Sequence, residues 1–132
     1  MSRTTQLPGL YILDSEKKGR AVYCLHDIAE GSLIEICPVI VVPPKDTLAI
    51  HNSILHDYYF MWDMEAKSSA IALGYGSLYN HSDQPNAEFL IDRTTTEIKI
   101  MAIQDVIAGT EITLDYIAAK DEGISLWFDP VQ

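Results

Sequence analysis

The sequence predicts a mostly β domain, a β-rich α+β fold built from several small sheets. Segments rich in β-branched and aromatic residues clearly outnumber helical segments, and they are short. Glycine, proline and aspartate separate these segments, as is typical of turns between strands. At 132 residues the chain is long enough to bury its own core, so a single domain over 1–132 is expected.

The first three predicted strands lie in the N-terminal third of the chain. Leu10–Leu13 and Ala21–Leu25 flank a polar turn and together predict a hairpin. A longer apolar run, Leu33–Val42, contains Pro38, which cannot donate a ladder hydrogen bond. The run therefore predicts a long strand that is either bent or at the edge of a sheet.

One short helix and three more strands are predicted in the rest of the chain. Proline and aspartate near its start predict a helix over Lys45–Ile50. The aromatic run Tyr58–Trp62 is typical of a strand. Alternating apolar residues in Ala87–Asp92 and Glu97–Ala102, joined by four polar residues, predict a second hairpin.

A short pattern occurs twice. Asp27–Gly31 and Asp105–Gly109 both begin with an aspartate followed by two apolar residues and end with a glycine, and a Ser or Thr and then an acidic, apolar strand follow each. This resembles a degenerate internal repeat of a turn plus a strand, although two copies are too few for a solenoid.

Composition excludes several classes of protein. Apolar runs such as Val39–Val42 are far shorter than the roughly 20 residues needed to span a bilayer. The spacing of four histidines and two cysteines does not match a metal site, so no metal is expected and Cys24 and Cys37 are interpreted as buried thiols. An N-terminus without an apolar signal region predicts a cytoplasmic protein.

The charge of the chain indicates the class of its partner. A formal net charge of −10 argues against nucleic acid, whose phosphates require clustered Lys and Arg, and favours a basic partner. Many acidic proteins owe their charge to solubility alone, so this inference remains one of two alternatives.

The segment Gly74–Asn86 contains an unusual number of turn-forming and hydrogen-bonding residues. On the simpler interpretation it is a long surface turn between two strands. On the functional interpretation it binds a ligand. The choice between them depends on a second segment about thirty residues further along.

Two motifs carry a specific resemblance. Asn80–Ser82 followed by Pro85 and Asn86, and then Gly109–Tyr116 with its Gly-x-Glu-Ile-x-x-x-Tyr pattern, resemble the SET domain family of lysine methyltransferases. A third motif, Gly-x-Gly before an apolar strand, is present as Gly19–Ala21, with alanine in place of the second glycine. The resemblance covers a core of about 10–116, and it implies the SET fold, with a C-terminal pseudoknot that joins the two motifs.

The resemblance implies that the cofactor is S-adenosyl-L-methionine, which leaves as S-adenosyl-L-homocysteine. By position, its binding residues are Gly19, Arg20, Ala21, Asn80 and His81. Aromatic residues would complete the site, and the candidates are Tyr59 and, in a closing segment over 117–132, Trp127 with Phe128. If the position of Ala21 requires a positive φ, the alanine would cost about 1 kcal/mol.

By the same resemblance Tyr116 is the catalytic tyrosine, which orients the lysine amine and the methyl group. The lysine channel of the family has aromatic walls, because π faces accommodate both an alkyl stem and an ammonium group. Candidates for this substrate site are Tyr58, Tyr75, Phe89 and Leu114. Because Phe89 and Leu114 have no hydroxyl to crowd the amine, higher methylation states are expected.

Two functions follow from these residues. The first is methyl transfer from S-adenosyl-L-methionine to a lysine of a basic protein or peptide, histone-like in character, which would place the enzyme in a nucleus or direct it at a host. The alternative is a SET-fold module that binds a basic peptide without transferring a methyl group. The small viral members of the family are dimers, so a homodimer is also expected.

Overall fold

The computed structural model describes residues 6–15 and 19–116. The predictions for the closing segment 117–132, including Trp127 and Phe128, lie outside these residues. The described part contains nine strands and one α-helix, with two short 3-10 turns, which confirms the mostly β fold. The strands are Leu10–Ser15 (β1), Gly19–Cys24 (β2), Leu33–Val42 (β3), Tyr59–Asp63 (β4), Ser68–Ala72 (β5), Asn80–His81 (β6), Ala87–Asp92 (β7), Glu97–Ala102 (β8) and Thr113–Leu114 (β9), and the helix is Pro44–His51 (α1).

These strands form three small sheets, as predicted. The strands β1 and β2 form an antiparallel hairpin, β4-β5-β3-β8-β7 is a five-stranded sheet, and β6 pairs with β9. In the hairpin, Leu10 lies opposite Cys24 and Ile12 lies opposite Val22. Successive side chains of a strand face opposite sides, so these residues point into the core, where Val22 and Cys24 are buried.

The long strand β3 changes partners at Pro38. Its first part, Leu33–Pro38, pairs with β8, and its second part, Val39–Val42, pairs with β5. Pro38, which has no N–H to donate, therefore lies where β3 changes from pairing with β8 to pairing with β5. The prediction of a long strand is confirmed, but the alternative of an edge strand is wrong, because β3 lies between β5 and β8.

The predicted hairpin of β7 and β8 is confirmed with the predicted bounds. Asp92 stabilises its turn, because its Oδ1 accepts hydrogen bonds from the N–H groups of Thr94 (3.1 Å) and Thr95 (3.2 Å). Lys99 lies 3.2 Å from the same carboxylate and lowers the pKa of Asp92. The alternation in sequence thus becomes a buried face, which includes Ile98 and Ile100.

The two copies of the internal repeat bind each other about a local two-fold axis. Ile28 and Val106 exchange two backbone hydrogen bonds of 2.8 Å. The Asp27 carboxylate accepts from the N–H of residue 108, and the Asp105 carboxylate accepts from the N–H of residue 30, both at 2.8 Å. Gly31 and Gly109 end the two turns with the same φ of +87°. This clasp fixes the start of the segment that leads into β9.

One core joins the three sheets. Cys24 and Cys37 are both buried free thiols, as predicted. The core consists of side chains from both hairpins, the central strands and the C-terminal segment, among them Val22, Ile34, Phe60, Tyr79, Phe89, Ile98, Ile100, Ile112 and Leu114.

Within residues 6–15 and 19–116, the helices are all too short or too polar to traverse a bilayer.

Two glycines of the Gly74–Asn86 segment permit close packing. Gly74 has a φ of +65°, and a Cβ added there would lie 2.3 Å from Oε2 of the buried Glu35. A Cβ added to Gly76 would lie 2.5 Å from that of Ala72 and 2.8 Å from the sulfur of Cys37. The segment is therefore packed closely onto β3 and β5.

We expect Gly74→Ala to lower the free energy of unfolding by about 3 kcal/mol or more, because it adds a steric clash to an unfavourable backbone conformation. Gly31→Ala is the matched control, since its φ is also positive but no atom lies within 4 Å of the added Cβ. The control should lose only about 1–2 kcal/mol. Urea denaturation measures both, and equal losses would show that the contact with Glu35 does not constrain Gly74.

Candidate functional site

The two motif segments meet in the parallel pair formed by β6 and β9. Asn80 lies opposite Thr113, and His81 lies opposite Leu114. The ladder continues where the N–H of Ser82 donates to the carbonyl of Leu114 over 2.8 Å. Residues more than thirty positions apart in the sequence thus form one surface.

The side chain of Asn86 locks this crossing. Its Nδ2 donates to the carbonyl of Glu111 over 2.9 Å, and its Oδ1 accepts from the N–H of Thr113 over 2.9 Å. On the other side, the N–H of Ile112 donates to the carbonyl of Val22 over 2.8 Å. The C-terminal segment is therefore bonded both to β2 and to the loop after β6, the arrangement that the resemblance implied.

The amide of Asn80 is held in one orientation. Its Nδ2 donates to the carbonyl of Arg20 (3.1 Å) and to Oε2 of Glu111 (2.8 Å). Because both N–H bonds are used, the assignment of nitrogen and oxygen follows from the network. In the part of the chain that the structure describes, no donor reaches Oδ1 of Asn80. This oxygen can accept a hydrogen bond from a ligand.

The motif Gly19–Ala21 lies beside Asn80, at the start of β2. Gly19 has a φ of +73°, and none of the described residues has an atom within 4 Å of an added Cβ. Lys67 and Thr96 are the non-glycine residues with positive φ in the described part of the chain. Ala21 pairs with Leu13 as an ordinary strand residue, so replacing the second glycine of the motif causes no backbone strain.

His81 contacts the C-terminal tyrosine directly. Its Nδ1 accepts a hydrogen bond of 3.2 Å from the N–H of Tyr116, so in the neutral ring the proton is on Nε2. The two rings stack, with centroids 6.0 Å apart and planes 20° from parallel. The Asp115 carboxylate lies 3.9 Å from the same Nδ1.

Tyr116 lies in a cluster of aromatic rings. Its hydroxyl donates a short hydrogen bond to the main-chain carbonyl of Tyr79. The ring of Phe60 meets it edge-on at 5.0 Å, and that of Phe89 lies 6.0 Å away. Burial raises the pKa of Tyr116, and a smaller contribution comes from Cys37. The phenol therefore stays protonated at neutral pH and can donate.

The other predicted substrate-site residues lie at different depths. Phe89 is buried next to the ring of Tyr116 and Leu114 is buried in the core, whereas Tyr75 is half-buried and Tyr58 is exposed. Their roles in binding substrate remain predictions.

Tyr59 contacts the helix α1. Its hydroxyl lies 2.8 Å from Nδ1 of His51 in α1, and burial raises the pKa of Tyr59 to about 12. Side chains alternate along a strand, so Tyr59 and Phe60 point to opposite faces of β4, and Phe60 is the residue that contacts Tyr116. The role predicted for Tyr59 in cofactor binding stays a prediction.

Sequence reasoning missed several residues that build this site: Glu35, Phe60, Tyr79, Asn86 as a cross-link, and Glu111 as the anchor of Asn80. Phe60 stands in the run Tyr58–Trp62, which is apolar on both faces, so alternation along the run did not single it out. Among the described residues, no group of three or more His, Cys, Asp or Glu side chains could hold a metal ion.

Known proteins resemble this chain in sequence and in fold. The family model described as the SET domain matches residues 19–117. A Schizosaccharomyces pombe protein named histone-lysine N-methyltransferase, H3 lysine-37 specific, is 32% identical over 122 residues, which are 91% of this chain and 77% of that protein. A crystal structure from Plasmodium falciparum, provisionally assigned as a histone methyltransferase, superposes with a TM-score of 0.61 at 31% identity and covers 82% of this chain and 92% of that one.

The family match extends over both motifs and the strands that support them. The relatives resemble the chain over most of its length, in sequence as well as in fold. The chain therefore belongs to the SET domain family, whose enzymes are protein-lysine methyltransferases.

Proposed function

We propose that this chain transfers a methyl group from S-adenosyl-L-methionine to the side-chain amine of a lysine in a basic protein. One observation carries the proposal. The β6–β9 pair presents Asn80 and His81 beside Tyr116, whose hydroxyl is fixed inside an aromatic cluster. A cofactor site and a tyrosine that orients the amine would then lie on one short ladder.

The residues present fit the cofactor. Among the described residues no donor reaches Oδ1 of Asn80, which suits an ammonium donor, and the space left beside Gly19 lets a ligand approach the main chain of β2 closely. Gly19, Arg20, Ala21, Asn80 and His81 would hold it. When bound, S-adenosyl-L-methionine supplies an electrophilic methyl group on a sulfonium and leaves as S-adenosyl-L-homocysteine.

The role of the chain is to align a neutral lysine amine with that methyl group and to exclude water. Tyr116 remains a phenol, and after donating to Tyr79 its oxygen can still accept a hydrogen bond from the amine. Phe60 and Phe89 give the site low polarity, which favours the neutral form of a lysine over its ammonium. The proposal therefore requires no dedicated base.

The charge of the chain and the names of its relatives support a basic substrate. The formal net charge of −10 favours a lysine-rich segment. The S. pombe relative is named for lysine 37 of histone H3, so histone peptides are the first substrates to test. Histone modification would place this enzyme in a nucleus, or in a host cell, rather than in the cytoplasm. A homodimer belongs to the same proposal and can be tested by sedimentation.

We expect Tyr116→Phe and Asn80→Ala to separate transfer from binding. Tyr116→Phe should lower kcat by about 100-fold while the Kd for the cofactor changes less than about threefold, because the hydroxyl acts on the reacting groups. Asn80→Ala should raise that Kd by about tenfold or more, since it removes an acceptor for a charged donor. Calorimetry and transfer of a labelled methyl group measure the two effects.

Tyr11→Phe is the matched control, because Tyr11 stacks on Tyr23 in the first hairpin, 5.7 Å away between ring centroids. It should leave both quantities unchanged. A wild-type protein that binds no S-adenosyl-L-methionine would refute the proposal. A protein that binds histone peptides but transfers no methyl group would instead support the peptide-binding module.

The state of methylation depends on Phe89 and Leu114. Both are buried and lack a hydroxyl, and the ring of Phe89 lies 6.0 Å from that of Tyr116, so we expect di- and trimethyl-lysine among the products. Phe89→Tyr should shift the products towards monomethyl-lysine, because its hydroxyl would crowd the amine. Mass spectrometry of a peptide at high enzyme concentration reports the distribution, and monomethyl product alone from the wild type would contradict the expectation.

A further inference from the structure

A buried carboxylate lies behind the site, on the central strand β3. Glu35 is 3% exposed and accepts three hydrogen bonds from neutral donors. Its Oε1 accepts from the hydroxyl of Tyr79 over 2.6 Å, and its Oε2 accepts from the N–H of Tyr75 (3.0 Å) and from Nε2 of Gln6 (3.1 Å). A carboxylate is costly to bury unless it is bonded in this way.

Glu35 is linked to Tyr116 through one residue. The Tyr79 hydroxyl donates to Glu35, and the Tyr79 carbonyl accepts from the Tyr116 hydroxyl. Tyr79 is 2% exposed, and its ring is fixed at one end by the carboxylate and at the other by its own backbone. The position of the carbonyl that holds Tyr116 therefore depends on the anchoring of this ring.

The surroundings hold Glu35 in place. Gly74 passes so close to Oε2 that a side chain there would collide with it, and the Cys37 thiol lies on the same side. Burial and then the charge of Glu35 raise the pKa values of both Cys37 and Tyr79, so both groups stay protonated as donors. The carboxylate has little freedom to follow a change in Tyr79.

We propose that Glu35 is a positioning residue for methyl transfer, which acts through Tyr79 to place the carbonyl that fixes the hydroxyl of Tyr116. The inference rests on the proposed function, because it assigns Glu35 to the reaction of Tyr116. It does not extend to the cofactor, because Asn80 has separate bonds to Arg20 and Glu111. Loss of the Glu35–Tyr79 bond should therefore impair transfer but not cofactor binding.

The kinetic test compares Tyr79→Phe with Ile98→Val. Tyr79→Phe removes only the donor to Glu35, and it should lower kcat at least about tenfold, with KM for the peptide and Kd for the cofactor within about threefold of wild type. Ile98→Val is a matched loss of stability in the core of β8, at a residue that is 0% exposed, and it should leave kcat unchanged. Equal kcat values for the two variants, compared at equal folded fraction, would overturn the inference.

A second readout does not require activity. With tyrosine carrying 13C at Cζ, the Tyr116 resonance can be assigned by its loss in Tyr116→Phe. Glu35→Gln replaces an acceptor oxygen with a donor amide, which cannot satisfy Tyr75, Gln6 and Tyr79 together, so the Tyr116 resonance should shift. An unmoved Tyr116 resonance in a folded Glu35→Gln protein would refute the link. If the wild type transfers no methyl group but the resonance shifts, the proposed function fails while the Glu35–Tyr79–Tyr116 chain stands.

Discussion

The pairing of β6 with β9 is the constraint on which the site depends, and the side chain of Asn86 maintains it. Each of these strands has two residues, too few for a stable ladder by themselves. The side-chain amide of Asn86 donates a hydrogen bond to the carbonyl of residue 111 and accepts one from the N–H of residue 113. Because Asn86 is buried, losing these bonds would leave a buried amide unpaired, which is costly. The crossing brings Asn80 and Tyr116 together, and neither segment contains a complete site.

The remaining structure supports this crossing from three sides. The clasp of Asp27 and Asp105 fixes where the C-terminal segment begins, and the hairpin β1–β2 binds it next. The five-stranded sheet then contributes the rings of Phe60 and Phe89 to the surroundings of Tyr116. The aromatic cluster, the main-chain carbonyl of Tyr79 and the two motifs thus come from different sheets and share one core.

The sequence predicted the elements better than the contacts between them. The hairpin of β7 and β8 was predicted with its bounds, because local alternation and a polar turn determine it. By contrast, the hydrogen bond between Tyr79 and Glu35 joins residues 44 positions apart. The sequence around Glu35 does not show that this carboxylate is buried, so the bond could not be predicted. The run Tyr58–Trp62 is apolar on both faces, so periodicity alone could not show that Phe60, and not Tyr59, faces Tyr116. The edge placement of β3 failed because Pro38 coincides with a change of partner.

The central claim is that the crossing itself creates both halves of the site. The most direct test measures S-adenosyl-L-methionine binding to Asn86→Ala by calorimetry and methyl transfer on the same sample. Asn52→Ala is the control, because Asn52 is an exposed residue after α1. We predict that the folded Asn86→Ala protein binds the cofactor at least about tenfold more weakly and also transfers the methyl group more slowly. Both effects are expected because the two lost hydrogen bonds hold the segments of β6 and β9 together. Wild-type affinity and rate in a folded Asn86→Ala protein would contradict it.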